Sequence, residues 1–227
     1  MFDFSKVIEM DYGKASEFFT KYDEICKADE GKLWGVSLRV PFVFIDTATR
    51  QCAANEPDCE GILTKHSEHN IYTGIFPEHL VVSASVTEFG GKRWAMMPWN
   101  AAIMFGEEQC LKTMAHEAVH CLQPEIVGKV QALKIDNIHM DALDARVSFV
   151  FEIGTLLKAL KTADGDERKA AINAALCARS RRREQYNKAY DENCFEISEG
   201  MANYAEVKAY AHSKDEIISH TDGFRDA

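Results

Sequence analysis

The sequence predicts an α+β fold, in which a twisted sheet forms the N-terminal half and helices form most of the C-terminal half. Between residues 33 and 99, short runs of aromatic and β-branched residues alternate with turn residues. From about residue 107 onward, apolar residues recur at intervals of three and four. Strands that precede the helices, instead of alternating with them, are typical of this fold class. At 227 residues the chain is expected to form one domain, with a β-rich part over 31–99 and a helical part over 107–212.

In the N-terminal half, the hydrophobic pattern predicts one helix followed by strands. The helix covers 12–28, because its apolar residues share one face. Strands are predicted at 40–45 and at 71–76. Residues 80–86 and 92–97 flank Gly90 and Gly91 and are expected to form a hairpin.

In the C-terminal half, four helices are predicted, at 107–123, 138–162, 166–191 and 194–212. Pro124 is expected to end the first, because proline has no amide hydrogen with which to continue the helix. Asp166 is expected to cap the start of the third. The expected core contains large apolar residues from both halves: Phe42, Phe44, Ile45, Val86, Met114, Val119, Phe149, Leu156, Leu157 and Ile197.

Composition excludes some classes of partner. The chain has 26 Lys and Arg against 36 Asp and Glu, a net charge of −10, so it lacks the basic surface that nucleic acid requires. The basic cluster between Arg179 and Arg183 is interpreted as a solvated helix face in preference to an anion site. No apolar run approaches the ~20 residues of a membrane span. The seven cysteines are an odd number and include no C-x-x-C pair, and no signal-peptide pattern is present at the N-terminus. Both observations favour a cytoplasmic location, and the alternative is that a leader has been removed.

The most informative motif is His116-Glu117-Ala118-Val119-His120, an H-E-x-x-H sequence within a predicted helix. Residues four apart lie one turn apart on one helix face, so both imidazoles can reach one Zn²⁺ ion. Glu117 then lies beside the metal, where a general base can take a proton from water. The alternative is a helix with two incidental histidines.

A catalytic zinc needs a third protein ligand, and Glu199 is the best candidate. It begins the motif Glu199-Gly-Met-Ala-Asn-Tyr204 on a later predicted helix. H-E-x-x-H followed by E-G-x-A-x-Y resembles the gluzincin branch of the zincin metallopeptidases. That resemblance implies that the Glu before Gly200 is a zinc ligand. Glu196, one turn earlier, is the alternative ligand, and Gly200 is expected to let two helices approach closely at the metal.

A second resemblance covers residues 31 to 208. It rests on residues spread along both halves of the chain: Leu33 to Asp46, Ala54-Asn55, Gly61, Gly91 to Trp94, Pro98, His116 to His120 and Glu199-Gly200. In these the chain is similar to a group of bacterial zincin-like proteins. The likeness implies a zincin-like fold with its metal between two helices, but no particular substrate.

Further residues are candidates for supporting roles. Asn203 is a candidate hydrogen-bond partner for a ligand imidazole, and an interhelical contact is equally expected. His139 and Tyr204 are candidate donors to the transition state, although a helix N-terminal role and core packing are the respective alternatives. Trp94 to Met97 resembles the edge strand along which zincins align a peptide, the alternative being a buried strand.

The resemblances imply that the chain is a zinc-dependent metallopeptidase, a hydrolase that cleaves a peptide or protein substrate with Glu117 as general base. The alternative is a non-catalytic binding or structural module of zincin fold that has lost parts of its substrate site, since the chain ends soon after the Glu199 helix. Cleavage preference, endopeptidase or exopeptidase action and oligomeric state are left open.

Overall fold

A computed structural model of the chain describes residues 8–128, 136–209 and 213–222. The chain divides into two compact units, of which the first is Met1–Val130 with Met201–Tyr210 and the second is Gln131–Gly200 with Ala211–Ala227. Two parts of the sequence used above lie outside the described residues. They are residues 1–7, where a signal peptide would begin, and the last residues of the predicted helix 194–212. The single domain expected over 1–227 stays a prediction.

The first unit contains six strands and four helices within the described residues. Its elements are α1 (Tyr12–Asp29), β1 (Phe42–Ile45), β2 (Gln51–Ala54), β3 (Thr64–Lys65), β4 (Tyr72–Ile75), β5 (Ser85–Phe89), β6 (Lys92–Pro98), α2 (Trp99–Met104), α3 (Gly106–Ile126) and α7 (Met201–Lys208). The strands form one sheet in the order β3-β4-β2-β1-β6-β5. β1 and β6 are parallel, and the other neighbours are antiparallel. The predicted α+β class is therefore confirmed, with strands in the N-terminal half.

The central strand β1 is buried on both faces of the sheet. All four of its residues, Phe42–Ile45, are fully buried. Side chains alternate between faces, so Phe42 and Phe44 join one apolar cluster while Val43 and Ile45 join another. The first cluster also contains α1, α3 and α7 residues, which positions α3 over the sheet. A continuous apolar run, as opposed to an alternating one, is typical of such a doubly covered strand.

The second unit is helical over its described residues. Its elements are a 3₁₀ turn (Ile138–Asp141), α4 (Leu143–Lys161), α5 (Asp166–Tyr186), α6 (Ala189–Phe195), a π-helical turn (Glu196–Gly200) and α8 (Lys214–Asp222). No helix among the described residues of either unit is long and apolar enough to cross a membrane.

A buried arginine holds α4, α5 and α6 together. Arg182 is 1% exposed and binds Glu192 with two parallel hydrogen bonds, Nε to Oε1 at 2.9 Å and Nη2 to Oε2 at 2.8 Å. Its Nη1 donates to Glu152 of α4 at 2.7 Å. Arg179 and Arg183 bind the same two carboxylates. The interpretation of this basic cluster as a solvated helix face was therefore wrong for Arg179, Arg182 and Arg183, because buried acids on two neighbouring helices require these cations as partners, whereas Arg181 is exposed as expected.

Several predicted boundaries were also wrong, each for a local reason. Pro124 lies inside α3, which continues to Ile126. Helix α5 ends at Tyr186, because Asn187 adopts a left-handed conformation (φ 51°) that caps the helix before 191. Asp166 is the first residue of α5 and Gly165 is its cap.

The core prediction was correct for five of its six residues in the first unit, where Val86 is only half-buried, and it was wrong for the second unit, where Leu156 and Leu157 are also half-buried. Phe42, Phe44, Ile45, Met114 and Val119 are buried, as expected. Phe149 and Ile197 are 39% and 37% exposed. The buried large side chains of the second unit include the paired Arg182, Glu152 and Glu192.

Replacing Glu192 by Gln should destabilise the second unit at neutral pH. Burial raises the pKa of Glu192, but hydrogen bonds from Arg182, Arg183 and His139 outweigh it and lower the pKa to about 2. Removing the charge leaves buried Arg182 with Glu152 as its one remaining carboxylate partner, and breaking a buried ion pair in this way typically costs about 3–5 kcal/mol of unfolding free energy. Chemical denaturation at pH 7 measures this loss, with the exposed Glu184→Gln as the matched control.

The difference in unfolding free energy between wild type and Glu192→Gln should depend on pH. A depressed folded-state pKa contributes stability that is complete above the unfolded pKa of about 4.3 and is lost as pH falls toward about 2. The stability difference between wild type and Glu192→Gln should therefore narrow over that window. A difference that stays constant from pH 7 to pH 2 would contradict the assigned network.

Candidate metal site

The two histidines of the motif face one another on α3. Cys110, Leu111, Met114 and Ala118 bury one side of this helix, which fixes its rotation. The rings of His116 and His120 have centroids 4.9 Å apart, and their Nε2 atoms are 3.1 Å apart. The i, i+4 spacing thus gives the convergent pair that the sequence predicts.

Each imidazole is oriented through its other nitrogen. His116 Nδ1 lies 3.3 Å from Oε2 of Glu206 on α7, and His120 Nδ1 lies 3.3 Å from Oε1 of Gln123. Carboxylate and amide oxygens are acceptors, so both Nδ1 atoms act as donors. In the neutral rings this places the lone pairs on the two convergent Nε2 atoms.

This donor arrangement fits a metal ion. Two lone pairs 3.1 Å apart repel one another unless a cation or a proton lies between them. Two nitrogens that bind one tetrahedral zinc at 2.0–2.1 Å are separated by about 3.3–3.4 Å, close to the distance here. The two imidazoles therefore already lie where a cation could bind them, and little movement of the rings would be needed.

Glu206 is a candidate site residue that the sequence motifs did not indicate. Gln109 Nε2 donates to its Oε1 at 3.0 Å, while its Oε2 faces His116. Glu206, in place of the candidate Asn203, is the α7 side chain at His116 Nδ1. The sequence does carry one sign of this role, which is the position of Glu206 on α7. The side of α7 that packs on α3 contains Ala202 and Ala205, and Glu206 is the acidic residue on that side.

The backbone of α3 is adapted to Pro124 near the histidines. Pro124 has no amide hydrogen, so the carbonyl of His120, four residues earlier, loses its usual helical donor. Arg93 of β6 supplies a replacement, with Nη2 3.2 Å from that oxygen. This contact allows α3 to pass through Pro124 and ties the end of the motif to the sheet.

Glu117 lies between the two histidines in sequence and is buried, with 5% of its surface exposed. It follows His116 by one position, so it projects about 100° around the helix from that imidazole. It therefore lies to one side of the face that the two imidazoles share, and its assignment as the general base stays a prediction.

Glu199 lies in the π-helical turn, two residues before α7 begins. Glu199 belongs to the second unit, whereas His116 and His120 belong to the first, so its role as the third ligand stays a prediction from the sequence motif. Ser198 Oγ donates to Glu199 Oε1 at 3.2 Å. Single π-turns are frequent at functional sites, because the extra residue rotates the side chains that follow.

The alternative ligand, Glu196, is engaged elsewhere. Its Oε1 lies 2.9 Å from Arg183 Nη2 and 3.2 Å from Arg179 Nη2. The reason given for Gly200 is also wrong. A Cβ atom at that position would meet only the Glu196 Cβ, at 3.9 Å, which is an ordinary contact and no close approach.

The two candidate donors have other contacts. His139 is buried and its Nε2 lies 2.9 Å from Glu192 Oε1, within the ion-pair network of the second unit. Tyr204 is 51% exposed and packs edge-on against Trp34, with centroids 5.7 Å apart. Residues two apart on a helix point about 200° apart, so Tyr204 lies opposite Glu206 on α7. Neither contact favours a role in proton donation.

The edge-strand interpretation of Trp94 to Met97 is wrong. These residues belong to β6, which pairs with β1 on one side and β5 on the other. Trp94, Ala95 and Met97 are at most 1% exposed. Strand β5 ends the sheet beside β6. It spans Ser85–Phe89, so the strand predicted over 80–86 was placed too early in the sequence.

Comparison of the chain with protein-family models, with curated proteins and with solved structures finds no match. The residues and their geometry therefore carry the argument about function.

Replacing Glu206 by Ala should weaken zinc binding by about 10–100-fold, because a carboxylate that orients a ligand imidazole and raises its basicity contributes on that scale. Asn203→Ala on the same helix is the matched control and should leave the affinity nearly unchanged. Competition against a chelator at fixed pH measures both constants, since protonation of the ligands changes the apparent affinity. Equal affinities for Glu206→Ala and wild type would show that the Nδ1 contact does not orient His116.

Proposed function

We propose that the chain is a zinc-dependent metallopeptidase of zincin-like fold. The observation that carries the proposal is the convergence of the His116 and His120 Nε2 atoms at 3.1 Å, with both Nδ1 atoms turned to acceptors. An incidental pair of surface histidines has no need of two separate orienting contacts. The carboxylate of Glu199 is the proposed third ligand, because it begins the E-G-x-A-x-Y motif that follows the H-E-x-x-H motif along the chain.

The donor set favours zinc over harder cations. Two imidazole nitrogens and one carboxylate are the usual protein ligands of a catalytic Zn²⁺, whereas Mg²⁺ and Ca²⁺ select oxygen donors. Three protein ligands leave a fourth position for water or substrate. When bound, zinc polarises a carbonyl and lowers the pKa of its water toward ~7.

The chain's own residues supply the remaining steps. Glu117 accepts the proton of the attacking water and passes it to the leaving amine as the peptide bond breaks. Its burial keeps bulk water away from this transfer. Glu206 and Gln123 hold the imidazoles in the tautomer that can bind metal.

Glu117→Gln should keep zinc bound and abolish peptide cleavage, since the amide has the same shape but cannot accept the proton. Hydrolysis of a diverse peptide library by zinc-loaded protein, read by mass spectrometry, measures turnover. Metal analysis of the same samples checks that zinc stoichiometry is unchanged. Retained cleavage by Glu117→Gln contradicts the mechanism, and no cleavage by zinc-loaded wild type favours the rival, a non-catalytic module.

Glu199→Ala should weaken zinc binding far more than Glu196→Ala does. A ligand carboxylate contributes a direct bond and a negative charge to the site. Glu196 instead neutralises Arg179 and Arg183, so its loss should change stability and leave metal affinity nearly unchanged. If Glu196→Ala is the variant that loses zinc, the ligand assignment is wrong.

A further inference from the structure

Arg93 is an exposed cation that the fold holds against the end of the H-E-x-x-H motif. It is the second residue of β6, and its side chain is exposed to solvent. Its Nη2 atom donates to the carbonyl oxygen of His120 at 3.2 Å. Both residues belong to the first unit, so the position of Arg93 relative to the motif is set within one compact unit.

The thiol of Cys121 shows on which side of α3 the guanidinium lies. Burial raises the pKa of Cys121, and Arg93 opposes this through its charge and a hydrogen bond, so the two side chains are close together. Cys121 follows Glu117 by four residues and therefore shares its face of the helix. The charge of Glu117 also raises the Cys121 pKa, which agrees with this placement.

Arg93 therefore lies on the Glu117 side of the two imidazoles and further along the helix. One turn separates the level of Glu117 from that of Cys121, which is about 5.4 Å along the axis of α3. The opposite side of His116 faces Glu206 on α7. A substrate that reaches the imidazoles and Glu117, and continues toward the end of α3 on this side, passes the guanidinium of Arg93.

No carboxylate among the described residues pairs with Arg93. Glu88 of β5 is its direct cross-strand neighbour, but no ion pair joins the two side chains. The neighbouring cations differ in this respect, since Lys92 binds Glu56 at 2.8 Å and Arg39 binds Asp23 at 3.1 Å. In a chain with a net charge of −10, Arg93 thus keeps its positive charge available beside the motif.

A guanidinium held in this way is suited to bind a carboxylate. It offers five N–H donors in a planar fork that matches the two carboxylate oxygens, and the contacts with His120 and Cys121 occupy two of these donors at most. The same two contacts restrict the side chain before a ligand arrives, so less conformational entropy is lost on binding.

The spacing limits where that carboxylate lies on a peptide. Each residue of an extended peptide spans about 3.3–3.6 Å. The one-turn separation between Glu117 and Arg93 therefore corresponds to one or two residues. Two sources supply a carboxylate at this distance, the C-terminus of a peptide and the side chain of an aspartate or glutamate.

From these observations we infer that Arg93 binds a carboxylate of the substrate and selects peptides that carry a negative charge one or two residues from the bond to be cleaved. This inference rests on the proposed peptidase function and deepens it, because it names the class of substrate.

Calorimetric titration of the full chain tests the inference without turnover. Zinc-loaded Glu117→Gln is titrated with N-acetyl-trialanine as the free acid and as the amide. It is also titrated with N-acetyl-Ala-Asp-Ala-amide and its Asn analogue. In one of these pairs the charged peptide should bind about 10–100-fold more tightly, as expected for a charge-assisted contact with arginine. The pair that shows the preference identifies the source of the carboxylate.

Replacing Arg93 by Gln in the same background should remove this preference by weakening the binding of the charged peptide. Binding of the neutral peptide should change less than about twofold. Gln retains a side-chain N–H that can donate to the His120 carbonyl, so loss of charge is separated from loss of the contact with α3. An unchanged melting temperature checks that the fold is intact.

Two other variants serve as controls for charge. Lys65→Gln removes the same charge from an exposed position on β3, at the opposite edge of the sheet, and should leave the preference unchanged. Glu88→Gln removes the negative charge opposite Arg93 and should tighten binding of the charged peptide about twofold, a change typical of exposed charges.

Kinetics separate a failure of this inference from a failure of the proposed function. In the zinc-loaded chain, Arg93→Gln should raise KM for the charged peptide about 10–100-fold and leave kcat nearly unchanged, because the lost contact is made equally in the ground state and the transition state. Turnover by wild type with equal binding of charged and neutral peptides overturns the inference and leaves the peptidase proposal standing.

The remaining outcomes are equally defined. A preference that survives Arg93→Gln overturns the inference, because another group then binds the carboxylate. Absence of turnover, with a binding preference that Arg93→Gln removes, contradicts the peptidase proposal and supports Arg93 as the carboxylate-binding residue. Absence of both turnover and preference overturns both.

Discussion

The packing of α3 between the sheet and α7 is the constraint on which the first unit depends. One side of α3 is buried with α1 and β1 in an apolar cluster that also contains Ala202 and Ala205 of α7. That burial fixes the rotation of α3 and therefore the direction of both imidazoles. The small α7 residues allow a close approach, and Glu206 beside them reaches His116. Hydrophobic packing of α3 against α7 thus fixes the contact between Glu206 and His116, which the two polar side chains alone could not hold in one geometry.

The sequence predicted those features that short-range chemistry determines. The H-E-x-x-H spacing was sufficient to place two imidazoles on one face, because the helix repeat leaves no other outcome. The strand Phe42–Ile45 was predictable from its aromatic and β-branched composition. Helix α1 was predicted over 12–28 and observed at Tyr12–Asp29, because its apolar residues repeat at the helical interval.

Features that depend on distant partners could not be predicted in this way. Pro124 normally ends a helix, and only the arrival of Arg93 from β6 at the freed carbonyl of His120 explains why α3 continues. Glu206 could be recognised as the partner of His116 only after the packed face of α7 was known. The Arg182 network was missed because a run of arginines on a helix usually faces water. The two acidic residues that bind Arg182, Glu152 and Glu192, lie 30 and 10 residues away in sequence.

The central claim is that His116 and His120 bind one zinc ion through nitrogen, and X-ray absorption at the zinc edge tests it most directly. The full chain, loaded with one equivalent of Zn²⁺, should show nitrogen and oxygen neighbours at about 2.0–2.1 Å with the outer-sphere scattering of two imidazole rings. That imidazole signal should be reduced in His120→Ala. A first shell containing sulfur at about 2.3 Å, or one of oxygen alone without imidazole scattering, would contradict the account.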